Sequence, residues 1–255
     1  MKRAFLLLLG LYAVYAIAMV FMHPGHLYPF LQNDRVLQGF ERVELAADDG
    51  AALSLQEAER DGPIVLYFMG NGGAISAFGP PLQTHVRAGR HVVAMEYRGG
   101  GGRSGQPSEA ALKSDSLVIA DWALGKGKPV VVHGYSLGTG LAVHVAKNRD
   151  VAAVILEAPY DRLCNLMTRS ALLPACLMPG VQKWDTLADA PDVVAPVLIL
   201  HGASDRIIPP DRSAALASAF PNAERQVLNG AAHFDTFRRP AAQFATQRLF
   251  SLISP

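Results

Sequence analysis

After residue 40, short apolar runs alternate along the chain with longer stretches in which apolar and polar residues mix at helical spacing. The runs show little polar alternation, which is typical of strands buried on both faces of a parallel sheet. We expect strands at residues 41–46, 51–56, 64–69, 91–97, 130–133, 151–156, 197–200 and 225–228. We expect helices at residues 76–88, 109–124, 137–147, 210–219 and 236–252. This alternation predicts an α/β fold with a mostly parallel central sheet of about eight strands and helices on both faces.

Two features interrupt the alternation. The first two strands should form a hairpin, because Asp48, Asp49 and Gly50 between them favour a tight turn. Residues 163–192 are apolar, contain three prolines and are long for a connection within an α/β domain. We interpret this insertion as a short lid over a site. Its leucines and methionines either pack on the edge of the sheet, or they line an acyl pocket or touch a membrane.

The first 22 residues differ from the rest of the chain. Residues 4–22 carry no charge and follow Lys2 and Arg3, and at 1.5 Å per residue they span about 28 Å, close to a bilayer core. We predict a signal-anchor transmembrane helix at 1–22, with the N-terminus cytoplasmic and the following domain exported to the periplasmic or lumenal side. Two alternatives stay open: cleavage near Ala18 with secretion, since 16–18 has a small-x-small form, and a buried core helix.

The remaining boundaries follow from this anchor. Residues 23–39 form a linker in which His23 and His26 should be solvated, and residues 40–255 form the folded domain that contains the lid.

Composition excludes several classes of protein. The chain is 50% hydrophobic and 18% charged with a net charge of +1, so it has no basic excess with which to bind nucleic acid. Its two cysteines exclude a disulfide scaffold and a four-cysteine zinc site. Both cysteines, Cys164 and Cys176, fall in the lid, where a disulfide and two free thiols are equally open. We expect no metal site, because His85, His91 and His144 have no clustered carboxylate or cysteine partners, and we expect no cofactor.

A nucleophile motif lies between the fifth predicted strand and the helix after it. Residues 134–138 read G-Y-S-L-G, a G-x-S-x-G pattern that holds its serine, Ser136, in a strained strand-to-helix turn. A strained turn of this kind exposes the hydroxyl above the sheet edge, beside the positive end of the helix. The structural alternative is a serine that caps the helix between two glycines.

Two later loops supply partners for this serine. Asp205 follows the strand at 197–200, and His233 follows the last strand. The carboxyl ends of parallel strands meet at one edge of a sheet, so we expect Ser136, Asp205 and His233 to lie together as nucleophile, orienting acid and general base. Asp161, after the strand at 151–156, is the alternative acid, and Asp235 is more typical of a helix start.

The order Ser, Asp, His and the G-x-S-x-G motif resemble the α/β-hydrolase superfamily over residues 40–252. Within it the chain is similar to small-lid, membrane-anchored serine hydrolases of the lysophospholipase, monoacylglycerol lipase and esterase type, which share its M-G-N-G-G loop and its Y-R-G-G-G-G-R-S loop in related form. The resemblance implies that the N–H groups of Asn71 and Leu137 form the oxyanion hole. Met69 stands where this family usually has histidine.

The expected function is therefore hydrolysis of acyl esters, lipid-like ones such as lysophospholipids or monoacylglycerols above all, by a Ser-His-Asp acyl-enzyme mechanism. The partners are then a small acyl-ester or lipid substrate and a membrane. The alternatives are a serine peptidase or thioesterase with the same triad, and a non-catalytic membrane-tethered protein that uses this fold for binding.

Overall fold

Eight strands form one sheet in the computed structural model, which describes residues 1–47 and 49–253. Asp48, in the predicted hairpin turn, and the last two residues of the predicted domain lie outside the described residues. The strands are β1 (Glu41–Ala46), β2 (Ala52–Ala58), β3 (Ile64–Phe68), β4 (His91–Glu96), β5 (Val130–Tyr135), β6 (Ala153–Glu157), β7 (Val197–Gly202) and β8 (Ala223–Leu228). Their spatial order is β1-β2-β4-β3-β5-β6-β7-β8; β2 pairs antiparallel with both β1 and β4, and all other pairs are parallel.

Helices precede, separate and follow these strands, largely where the sequence predicts them. They are α1 (Lys2–Leu27), α2 (Gly79–Arg87), α3 (Glu109–Leu124), α4 (Gly138–Asn148), α5 (Leu163–Ala171), α6 (Thr186–Asp189), α7 (Pro210–Ala217) and α8 (Pro240–Ile253). The predicted helix at 76–88 is divided into a 3₁₀ turn and α2, because the prolines after Gly79 suit the first turn of a new helix. For the same reason α8 begins at Pro240 and not at 236.

The central strands of the sheet, β3 to β7, are buried on both faces. Neighbouring residues of one strand enter different clusters: Leu66 and Val132 pack in the larger core with α3 and α4, while Val65 and Val131 pack against α8. Burial on both faces explains why these strands read as continuous apolar runs. The structure is thus the expected α/β-hydrolase architecture of eight strands.

The apolar helix α1 is longer than the predicted anchor. It is the one helix among the described residues that is long and apolar enough to cross a membrane, and most of its side chains are exposed. It runs through Pro24 to Leu27, so it takes in the start of the predicted linker. Pro24 has no N–H to give to the Val20 carbonyl, and the His23 Nδ1 donates to that oxygen instead at 2.6 Å.

This end of α1 packs against residues 163–192, here called the lid segment. The backbone N–H of Gln182 donates to His23 Nε2 at 3.1 Å, which makes His23 a buried residue and corrects the expectation that it is solvated. Nearer the N-terminus of α1, the hydroxyls of Tyr12 and Tyr15 donate to the carbonyls of Leu172 and Ala171 at 3.0 and 2.9 Å. The helix is therefore fixed to the lid segment along much of its length.

The lid segment is itself cross-linked. Cys164 and Cys176 form a disulfide, which resolves the two alternatives for these residues in favour of the bridge. The apolar side chains of the lid segment are in part buried and in part exposed: Leu173 is buried, while Leu172 and Leu177 are 80% and 84% exposed.

Candidate active site

Ser136 lies directly after β5 in a left-handed backbone conformation, with φ of 51°. The turn is tight, and its two flanking glycines are required by contact: a side-chain carbon at Gly138 would overlap the Phe68 carbonyl oxygen, and one at Gly134 would overlap the Gly138 oxygen. The backbone N–H of Ser136 donates to the Glu157 carbonyl at 2.9 Å, which ties the turn to the neighbouring strand. Such strain is held only when surrounding contacts impose it, and it presents the serine hydroxyl above the sheet.

The structure brings the three predicted side chains together. His233 Nε2 lies 3.1 Å from Ser136 Oγ, and His233 Nδ1 lies 2.7 Å from Asp205 Oδ2. An ionised carboxylate can only accept hydrogen bonds, so Nδ1 must carry the proton and Nε2 is free to accept one from the hydroxyl. The carbonyl oxygen of His233 also accepts a hydrogen bond from the Tyr135 hydroxyl at 3.2 Å, next to the elbow. These contacts join the loops after β5, β7 and β8 at one edge of the sheet.

Asp205 is fixed by more than the histidine. Its Oδ1 accepts from the N–H groups of Ile207 and Ile208, both at 2.9 Å. Burial alone would raise the pKa of this carboxyl, but hydrogen bonds from His201 and His233 outweigh burial and hold its pKa well below the ordinary value. The carboxylate is therefore ionised and locked in one orientation.

His201 has a role that the sequence did not reveal. It is buried at the end of β7, and its Nε2 donates to the Ile208 carbonyl at 2.9 Å. The same nitrogen lies 3.3 Å from Asp205 Oδ2. Its place four residues before Asp205, at the end of the same strand, is the signal from which this contact could have been inferred.

The two backbone groups named by the resemblance lie at the same cavity. Asn71 and Leu137 line a space of about 190 Å³ together with Ser136 and His233. Within the described part of the chain, neither the Asn71 N–H nor the Leu137 N–H donates to another group. Two free N–H groups beside a serine hydroxyl are the arrangement that an oxyanion requires.

The other candidates of the sequence take structural roles. Asp161 accepts from the Arg162 backbone N–H at 2.6 Å and from Asn165 and Arg212 at 3.0 and 3.1 Å. Asp235 accepts from the Ala232 N–H and pairs with Arg239 near the start of α8. Neither carboxylate has a hydrogen bond with His233 among the described residues.

The cavity has a wall that sequence reasoning missed entirely. Leu27, at the end of α1, lines it along with Leu163 and Leu166 of the lid segment. The N-terminal helix therefore contributes directly to the environment of Ser136, although no motif in residues 1–39 points to the site.

Comparison with known proteins agrees with this fold. A family model described as the alpha/beta hydrolase fold matches residues 167–240. Human protein ABHD12B is 32% identical over 195 residues, which is 67% of this chain and 53% of that protein. Protein bem46 of Schizosaccharomyces pombe is 30% identical over 207 residues, 73% of this chain and 68% of its own. The lysophosphatidylserine lipase ABHD12 of Danio rerio is 28% identical over 172 residues, 58% of this chain and 44% of that protein.

A solved bacterial membrane phospholipase A has the same fold with a TM-score of 0.63, at 18% identity and over 99% of both chains. The chain belongs to the α/β-hydrolase superfamily. Its matched part spans about half the length of ABHD12B and of the zebrafish lipase.

Proposed function

We propose that this protein is a membrane-anchored serine hydrolase that cleaves acyl esters of lipid-like substrates. The observation that carries the proposal is the unbroken chain of contacts from Ser136 Oγ through His233 to Asp205. A serine hydroxyl is a weak nucleophile at neutral pH, and a neighbouring base that is itself oriented by a carboxylate is what activates it.

The reaction follows from the positions of these groups. His233 Nε2 takes the proton of Ser136 as Oγ attacks the acyl carbon. The oxyanion accepts hydrogen bonds from the N–H groups of Asn71 and Leu137, and the loss of one such donor typically costs about 2.7–4 kcal/mol of transition-state stabilisation. His233 then gives its proton to the departing alkoxide, which leaves an acyl-enzyme. A water molecule, with His233 again as base, releases the fatty acid and restores the serine.

The lipid character of the substrate rests on the surroundings of the serine. The cavity at Ser136 is lined mainly by leucine, isoleucine and phenylalanine side chains, including Leu163 and Ile208. One relative, ABHD12, is a lysophosphatidylserine lipase by name, and a single-chain phospholipid or a monoacylglycerol offers the same ester and apolar chain.

We further propose that residues 1–22 anchor the protein in a membrane and that residues 40–255 form the hydrolase domain, with 23–39 joining them and 163–192 as its lid. The length and apolar surface of α1 support the anchor. Lys2 and Arg3 at its start favour a cytoplasmic N-terminus and an exported catalytic domain.

The test uses the full chain in detergent micelles or phosphatidylcholine vesicles, with oleoyl lysophospholipids and 1-oleoylglycerol as substrates. We expect fatty-acid release by the wild type and a loss of at least about a thousandfold in Ser136→Ala. Ser218→Ala, a change at an exposed serine after α7, is the matched control and should retain wild-type activity. Fatty-acid release by Ser136→Ala at the wild-type rate, or no release of any acyl group by the folded wild type, would reject the proposal.

A further inference from the structure

A second and larger apolar cavity lies between α1 and the lid segment. Its volume is about 440 Å³. The α1 side of the cavity is formed by Tyr15, Met19, Val20, His23, His26 and Leu27, and the opposite side by residues between 163 and 181. No aspartate, glutamate, lysine or arginine is among its lining residues within the described chain. A space with this lining accepts hydrocarbon and disfavours charged ligands.

This cavity is adjacent to the cavity of the candidate nucleophile. Leu27, Leu163 and Leu166 line both. The space at Ser136 is about 190 Å³, smaller than the roughly 300–1,000 Å³ of typical ligand pockets. The space beside α1 falls within that range. An ester whose carbonyl lies at Ser136 has room for a long chain in this larger space if the chain continues past these three leucines.

The α1 wall of the cavity is held in place. Tyr15 donates to the Ala171 carbonyl at one end, and His23 accepts from the Gln182 N–H at the other. Both partners belong to the lid segment, so helix and lid enclose the space as one unit. The disulfide between Cys164 and Cys176 restrains the lid side.

We propose that the cavity between α1 and the lid segment binds the acyl chain of the substrate, so that the membrane anchor is also one wall of the acyl site. The inference rests on the proposed hydrolase function and adds where the chain lies. If residues 4–22 cross a bilayer, Met19 and Tyr15 lie at the level of the lipids. The occupant is therefore a long acyl chain that enters from the bilayer beside α1.

Met19→Trp tests the proposal, because a larger side chain there fills the cavity and Met19 does not line the space at Ser136. Ile17→Trp is the matched control: Ile17 is 59% exposed and lies about 200° around the helix from Met19. The measurement is kcat/KM on p-nitrophenyl esters from four to sixteen carbons. In the wild type we expect kcat/KM to rise by up to about fourfold for each methylene that becomes buried.

We expect Met19→Trp to lower the ratio of kcat/KM for the twelve-carbon ester to that for the four-carbon ester at least tenfold. Ile17→Trp should keep the wild-type ratio within twofold. An unchanged ratio in Met19→Trp overturns the inference, whereas hydrolysis of the four-carbon ester that depends on Ser136 still supports the proposed function. The experiment can therefore reject the acyl-chain site without rejecting the hydrolase function.

A second measurement does not depend on hydrolysis. A hexadecanoyl chain with a terminal diazirine, in phosphatidylcholine vesicles, is cross-linked to the full chain and mapped by mass spectrometry. We expect cross-links on residues 163–181, reduced at least fivefold in Met19→Trp and unchanged in Ile17→Trp. Cross-links confined to the outer face of α1, or equal yields on 163–181 in both variants, would show that the chain does not occupy this cavity.

Discussion

Replacing Asp205 with asparagine should leave the fold intact and switch His233 to the tautomer that cannot accept the Ser136 proton. The reason is that Asp205 Oδ1 accepts hydrogen bonds from two backbone groups. The N–H groups of Ile207 and Ile208 both donate to it at 2.9 Å. An asparagine must keep its oxygen there, which directs its NH₂ group at His233 Nδ1. Nδ1 then becomes the acceptor, and the proton moves to Nε2, the atom that faces Ser136.

The size of the effect follows from the cost of the opposite orientation. If the amide turned its oxygen toward His233, the buried Ile208 N–H and the partly buried Ile207 N–H would face another donor. A buried donor without an acceptor costs about 1–3 kcal/mol, so the pair costs about 2–4 kcal/mol. His201 offsets part of this cost, because its Nε2–H lies 3.3 Å from Oδ2 and would face the NH₂ group, but its shorter bond is to the Ile208 carbonyl at 2.9 Å. The unproductive tautomer should therefore dominate by about 30- to 1,000-fold, and kcat/KM should fall at least about a hundredfold once the lost carboxylate charge is included.

The assay is steady-state hydrolysis of p-nitrophenyl butyrate by wild type, Asp205→Asn and Asp161→Asn. Asp161 is the other candidate acid, but it bonds to Arg162, Asn165 and Arg212. Its variant should stay within threefold of the wild type. A loss of less than threefold in Asp205→Asn, or a larger loss in Asp161→Asn, would refute the assignment of Asp205 as the orienting acid.

Three further predictions concern the stability of the elbow, the core and the lid. Gly138→Ala should disrupt the turn at Ser136, because its new methyl group overlaps the Phe68 carbonyl, and overpacking of this kind typically costs about 1–3 kcal/mol of stability. Activity and melting temperature measure the effect. The control is Gly10→Ala, whose new methyl group contacts nothing, and an equally small effect of Gly138→Ala would count against the prediction. Burial raises the pKa of Glu96 from its ordinary 4.5 to about 7. The folded protein therefore prefers the protonated carboxyl, and the free energy of unfolding falls as pH rises from 4.5 toward 7. Glu96→Gln, which can keep the acceptor for the Ile75 N–H, should stabilise the protein at pH 8 by about 3 kcal/mol and hardly at all near pH 4.5, as read from thermal unfolding; a difference that does not vary with pH would contradict this. The double variant Cys164→Ser/Cys176→Ser removes a disulfide that closes a loop with a sequence separation of 12. In the chain-entropy model such a bridge stabilises the fold by about 3 kcal/mol, so its loss should speed proteolysis within 163–192. Cleavage at the wild-type rate would argue against a restraining bridge.

The catalytic candidates could be located from the sequence because their positions follow from sheet geometry. Ser136 and His233 are 97 residues apart. Ser136 directly follows one strand and His233 lies in the loop after another, and parallel strands end at the same edge of the sheet. The predicted strand at 130–133 was too short only because β5 continues through Gly134 and Tyr135, which the apolar pattern does not reveal.

The arrangement of α1 could not be predicted in the same way. A helix that is apolar on all sides carries no pattern to show which side packs against protein. Its docking depends on single polar contacts, such as Tyr12 to the Leu172 carbonyl and His23 to the Gln182 N–H. The exchange of β3 and β4 in the sheet order likewise depends on tertiary pairing and has no local signal.

Mass spectrometry of the intact protein after treatment with a fluorophosphonate, followed by peptide mapping, tests the activation of Ser136 most directly. We predict one covalent adduct on the peptide that contains Ser136, absent in Ser136→Ala and formed at least about a hundredfold more slowly in His233→Ala. An adduct on a different serine, or a Ser136 adduct that forms equally fast without His233, would contradict the account.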